Sequence, residues 1–167
     1  SMIEAVETLT TDKSVKLFEK FGIFTKAELE SRAEVLYETY AKTINIEALT
    51  MIDMASKQII PAVVKYTKSL ADTVIAVREA GADASAQTEI LKAVSEKLSA
   101  MKSALGKLEE VESKAGTIGN AKEQAFYYKD AVKVAMDALR APADEAEMLV
   151  DKKVWPLPTY GDLIFEV

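Results

Sequence analysis

Neither cysteine nor histidine occurs in the 167 residues. The first absence removes disulfide frameworks and thiolate sites, and it leaves the redox compartment open. The second removes the commonest general base and metal ligand at neutral pH. It also removes the Glu-x-x-His pairs that carboxylate di-iron bundles require. Six glycines and four prolines permit long helices and argue against a many-turned β protein. Only three cations are arginines, Arg32, Arg78 and Arg140, which is a poor supply for bidentate phosphate recognition. No apolar run approaches the ~20 residues of a membrane span, and no secretory leader is visible. Acidic residues outnumber basic ones 27 to 21, and the net charge of −6 repels phosphate backbones. Neither nucleic acid nor membrane is an expected partner.

What is present reads as helix. Hydrophobic residues make up 49% and charged residues 29%, as in a folded globular chain. A chain this long buries roughly two-thirds of its unfolded surface, so one core or one elongated bundle is expected. Val15, Leu17, Phe18 and Phe21 predict a short helix from Asp12, with Gly22 as its stop. Thr25 and Glu28 form a capping box ahead of a helix carrying Leu29, Ala33, Leu36, Tyr37 and Tyr40. Asn45 fits either a fresh cap or a continuing helix. From Ile46 to about Ala80 the pattern holds its register across Pro61, which predicts a kink and not a break.

Leu91, Val94, Leu98, Met101, Leu105 and Leu108 then form a heptad seam, one narrow stripe facing a partner helix. Gly116 and Gly119 close that helix, and Asn120 with Glu123 starts the next. It carries Ala121, Ala125, Tyr128, Val132, Ala135 and Leu139, and Pro142 predicts a bend or restart. Long helices joined by the short 115–120 turn run antiparallel, with Ile46–Ala80 as the third. The predicted fold is all-α: an elongated antiparallel helical bundle of three long helices plus short N-terminal helices, with an extended C-terminal tail packed back.

Candidate chemistry is thin. Glu109, Glu110 and Glu112 cluster, as do Asp144, Glu145 and Glu147, but with no second ligand type they read as solvated helix surface. Met51 and Met54 read as core filling, and of Tyr127 and Tyr128 one should pack inward and the other meet solvent. No phosphate loop, nucleophile elbow or dinucleotide fingerprint occurs. No catalytic, cofactor-binding or metal-binding residue is assigned, and the chain alone does not read as an enzyme.

The ending departs from all this. In Trp155-Pro156-Leu157-Pro158 the prolines exclude helix, and the exclusion is extended to Gly161. Asp162–Val167 could form a short strand if a partner strand exists. Trp155, Leu157, Tyr160, Leu163, Ile164 and Phe165 carry a large apolar load. Each buried large side chain is worth about 1.5–3 kcal/mol, so the tail is expected to pack on the bundle or dock on a neighbour.

Three stretches carry a family resemblance: Tyr40–Val63 (YAKTINIEALTMIDMASKQIIPAV), Ala135–Val150 (AMDALRAPADEAEMLV) and the closing WPLPTYGDLIFEV. The chain resembles the C-terminal region of type III glutamine synthetases from about Phe18 onward, although 82–124 is generic heptad sequence. The resemblance implies a larger parent that joins ammonia to glutamate with ATP through γ-glutamyl phosphate. It implies Mg²⁺ or Mn²⁺ as the parent's metal, dodecameric double rings, and a bacterial cytoplasmic location. The parent's metal and nucleotide ligands belong to a catalytic portion N-terminal to this region, so none is carried over.

Three segments are expected: Ser1-Met2 as a scar of tag removal, a bundle domain over 3–154, and the apolar tail over 155–167. The expected partners are the rest of the parent synthetase and its neighbouring subunits. The expected role is non-catalytic support of fold or assembly; the alternative is an independent helical protein–protein interaction module.

Overall fold

Two glycines set the breaks in this chain. Gly22 and Gly81 have φ of +64° and +77°, the left-handed region open to a residue without Cβ. At the first, the Ile23 and Gly22 amides donate to the Phe18 and Glu19 carbonyls at 3.0 Å each. At the second, Ala82 and Gly81 donate to Val77 and Arg78 at 3.1 and 3.0 Å. Both are Schellman closures, which satisfy the last carbonyls of a helix and turn the chain out of it.

The computed structural model describes residues 2–158 and 160–165, with the side chains of Tyr160 and Gly161 excepted. The Ser1 half of the expected scar, and Glu166–Val167 of the expected strand, lie outside the described residues. Helices α1 (Met2–Glu7) and α2 (Asp12–Lys20) come first, followed by α3 (Lys26–Met54), α4 (Ile60–Glu79) and α5 (Ser85–Ala115). Then come α6 (Ala121–Tyr127), α7 (Lys133–Glu147) and α8 (Tyr160–Phe165). No strand occurs among the described residues.

Helix α3 begins at the expected capping box. The Thr25 amide donates to Glu28 Oε2 at 2.7 Å, and the Glu28 amide donates to Thr25 Oγ1 at 3.3 Å. It does not stop near Asn45. It passes through a wide π-type turn, Ala55–Ile59, directly into α4. Pro61 therefore breaks nothing. It stands in the first turn of α4, just after the widened turn, where its missing N–H and bulky ring are best tolerated. A second π-type turn, Tyr128–Val132, joins α6 to α7. The expected bend or restart at Pro142 gives no break, since α7 runs through that residue.

The packing forms two compact units. The first comprises residues 1–49 and 109–135, the second 50–108 and 136–167. In the first, Ile3, Val6, Ala33, Tyr37 and Ala125 are buried together, with Leu36, Tyr40 and Phe126 against them. The N-terminal helix is thus a core element, held also by ion pairs of Glu4 with Lys129 and Glu7 with Lys122.

In the second unit the buried side chains include Val63, Val94, Met101, Leu105, Leu139 and Val150. Lys97 on α5 pairs there with Glu145 on α7. Arg78 donates to Thr88 at 3.2 Å across the turn that ends α4.

The tail differs from its expected form. Tyr160–Phe165 is a helix, so the 162–165 part of the proposed strand and the exclusion of helix at Tyr160-Gly161 are corrected. The prolines act only on their own positions and the residues before them. Beyond Pro158 nothing prevents the chain from turning helical. A lone strand would leave its ladder unpaired, whereas a helical turn makes its own bonds.

Candidate functional site

A polar junction sits within the first unit. Asn45, midway along α3, is half-buried beside the buried stripe of Ala41, Ile44 and Ala48. Its Nδ2 donates to the Tyr128 phenol oxygen at 2.7 Å and to Glu112 Oε1 at 3.0 Å. A carboxylate only accepts, so the amide nitrogen must face it. Tyr128 is 2% exposed. Burial pushes its phenol above the ordinary value, the Asn45 bond opposes that, and the Glu112 charge adds to it. Nearby, Gln124 Nε2 donates to the Ala115 carbonyl at 3.1 Å.

A hollow of about 440 Å³ opens beside this junction, lined by Lys42, Asn45, Ile46, Gly116, Gln124 and Tyr128. Its polar groups are largely spent on one another. The arrangement fixes three helical segments in register and pairs no base with a nucleophile. Sequence reasoning placed Tyr128 on a buried stripe but left Asn45 undecided. The signal was its place beside the 41–44–48 stripe, where a half-buried polar side chain must find a partner.

The acidic clusters separate. Glu109 and Glu110 are exposed, while Glu112 turns inward to Asn45. Asp144 meets Arg140 at 3.2 Å, and Glu145 meets Lys97. Among the described residues no three acidic side chains converge as a metal cage would require. Tyr128 packs inward; Tyr127 is half-buried, its ring 5.6 Å from Lys114 Nζ.

The tail side chains fall into three groups. Trp155 is 8% exposed, and its indole Nε1 has no hydrogen-bond partner among the described residues. Leu157 is half-buried. Leu163, Ile164 and Phe165 are 67%, 65% and 82% exposed. The expected burial of the Tyr160 side chain lies outside the described residues. No helix is long and apolar enough to cross a membrane among the described residues.

Residues 1–78 match the family model described as the glutamine synthetase C-terminal domain. A glutamine synthetase of Butyrivibrio fibrisolvens is 39% identical over 94% of this chain. One of Bacteroides fragilis is 30% identical over 97% of it. A type-3 glutamine synthetase of Dictyostelium discoideum is 29% identical over 97%. The chain spans 23% of the length of each of these relatives. Its all-helical fold and its matches along nearly its whole length agree, and the chain belongs to the C-terminal region of the glutamine synthetase family.

Proposed function

We propose that this chain is a non-catalytic helical domain of a glutamine synthetase that supports the fold or assembly of its parent. The observation that carries the reading is the alignment itself. Almost all of this chain lines up with less than a quarter of each relative, which leaves ample room elsewhere for the chemistry. The parent would join ammonia to glutamate with ATP and Mg²⁺ or Mn²⁺ in the bacterial cytoplasm, and the partners of this domain would be the rest of that protein and its neighbouring subunits. The residues agree with a supporting role: the most developed polar cluster, Asn45 with Tyr128 and Glu112, joins helices.

The helices are read as antiparallel neighbours. In the first unit, Gln124 reaches back to Ala115, and Asn45 brings the earlier Glu112 and the later Tyr128 to one point, as opposed chain directions require. The alternative reading, an independent interaction module, draws on the exposed Leu163, Ile164 and Phe165.

Two measurements test the proposal. Calorimetry of the isolated chain with Mg²⁺ and ATP should give no heat of binding; a stoichiometric, metal-dependent signal would overturn the non-catalytic assignment. Removing the corresponding region from the parent should lower its stability or shift its assembly in native mass spectrometry. An unchanged melting temperature with intact assembly would remove the supporting role.

A further inference from the structure

Apart from the Asn45 junction, a second hollow in the first unit gathers charged groups of both signs. It measures about 400 Å³ and is lined by Lys26, Glu30, Glu34 and Tyr37 of α3, with Asn120 and Lys122 from the turn into α6. That volume lies towards the small end of ligand pockets, which run from roughly 300 to 1,000 Å³. Tyr37 is its unusual member. The residue is 5% exposed, and its ring centroid lies 6.4 Å from that of Phe126. Yet its phenol has no hydrogen-bond partner among the described residues. Nor is the oxygen sealed in: the enclosed side-chain atoms without a partner are Gln87 Oε1 and Trp155 Nε1. It therefore reaches the surface, and the hollow is the surface that Tyr37 lines. Buried phenols usually find a partner, so an unused hydroxyl at the end of a buried ring points to a ligand. Burial pushes this phenol above its ordinary value, so at neutral pH it keeps its proton and can donate.

The groups around it sort by sign. Lys122 pairs with Glu7 at 2.7 Å, yet an ammonium keeps further N–H groups to donate. Lys26 and Glu30 stand 3.7 Å apart, at the long end for an ion pair. Glu34 makes no ion pair among the described residues. Asn120 Oδ1 accepts from the Glu123 amide at 3.0 Å, which leaves Asn120 Nδ2 to donate. The lining thus holds two ammonium and two carboxylate groups. A simple anion would meet Glu30 and Glu34, and a simple cation would meet Lys26 and Lys122. A molecule that carries both charges close together suits both sets.

We propose that this hollow binds a small zwitterion of the free α-amino-acid class. Its carboxylate accepts from the Tyr37 phenol, Asn120 Nδ2 and Lys122, and its ammonium donates to Glu34. Ala33 and Ala121 also line the hollow and favour a ligand with a small side chain. The site adds a ligand to a domain read above as a support, and it does not depend on that reading.

The test is titration of the isotope-labelled full chain with L-alanine and with L-threonine, followed amide by amide by NMR. Acetate and methylammonium, which carry one charge each, are the controls. Two variants accompany it. Tyr37→Phe keeps the packed ring and loses only the unpartnered hydroxyl, and Glu34→Gln alters an exposed side chain. The spectra themselves verify that each variant folds. At least one of the two amino acids should give saturable shifts grouped at residues 30–37 and 120–122, with half-saturation in the low millimolar range or below. Each variant should weaken that binding about tenfold or more, as loss of a hydrogen bond or ion pair to a charged ligand group does. Neither control should saturate at those residues. The proposal is overturned if neither amino acid saturates into the tens of millimolar, or if a folded variant binds as the unaltered chain does. It is overturned equally if acetate or methylammonium binds as tightly as the amino acid, which would mark a site for a single charge.

Discussion

Asn45 Nδ2 lies 2.7 Å from the phenol oxygen of Tyr128, with 82 residues of chain between the two. The bond closes the centre of the first unit and turns Glu112 inward at 3.0 Å. Asn45→Ala should destabilise the chain by about 1–3 kcal/mol, because it strands part-buried acceptors. Tyr128→Phe should cost less, about 1 kcal/mol, since Asn45 retains Glu112. Urea unfolding of both single variants and the double variant should give clear non-additivity. Purely additive effects would mean that the two side chains act independently.

Acid should loosen the N-terminal helix. The hydrogen bond from Lys129, and its charge, hold the Glu4 carboxyl down from 4.5 to about 2. A depressed carboxyl contributes stability that is complete above its unfolded value and lost as pH falls through its folded one. The window therefore runs from about pH 4.5 down to about 2. Glu4→Gln should flatten the urea midpoint across that window, leaving the smaller slope due to Glu28 and Asp83, also depressed by their bonds from Thr25 and Ser85. An identical acid limb in both proteins would remove the pair from the account.

The cap at the start of α3 is open to a simple test. Thr25→Ala removes the acceptor for the Glu28 amide and the hydroxyl that donates to Glu28 Oε2 at 2.8 Å. A loss of about 1 kcal/mol is expected. Hydrogen exchange should show the change concentrated in the first turn of α3. A uniform loss of protection along the chain would assign the effect elsewhere.

Within the tail, stability should follow burial. Trp155→Ala opens a cavity where a residue only 8% exposed stood, and should cost about 3–5 kcal/mol. Phe165→Ala, at 82% exposure, should stay within about 0.5 kcal/mol. Trp155 fluorescence should be blue-shifted and poorly quenched by iodide. Red-shifted, freely quenched emission would contradict its placement.

Much of the helical plan was legible residue by residue. The box at Thr25 and Glu28, the stop at Gly22 and the inward Leu105 and Leu108 follow from local bonding and periodicity. The continuity of α3 past Asn45 was not legible, because an asparagine caps a helix as readily as it bonds to a neighbour. Helix at Asp162–Phe165 was missed for a related reason. A short apolar run has no decisive period and takes whichever form satisfies its backbone.

By itself the sequence determined that the chain is helical, where most helices start and stop, and which chemistry it lacks. Those properties rest on interactions within a few residues along the chain and on side-chain inventory. Tertiary structure decided the division into two units, the core role of Ile3 and Val6, the meeting of Asn45 with Tyr128, and the split of the tail into buried Trp155 and exposed Phe165. Each of these depends on which distant surfaces meet. Hydrophobic burial favours many such meetings almost equally, and only the packed chain selects among them.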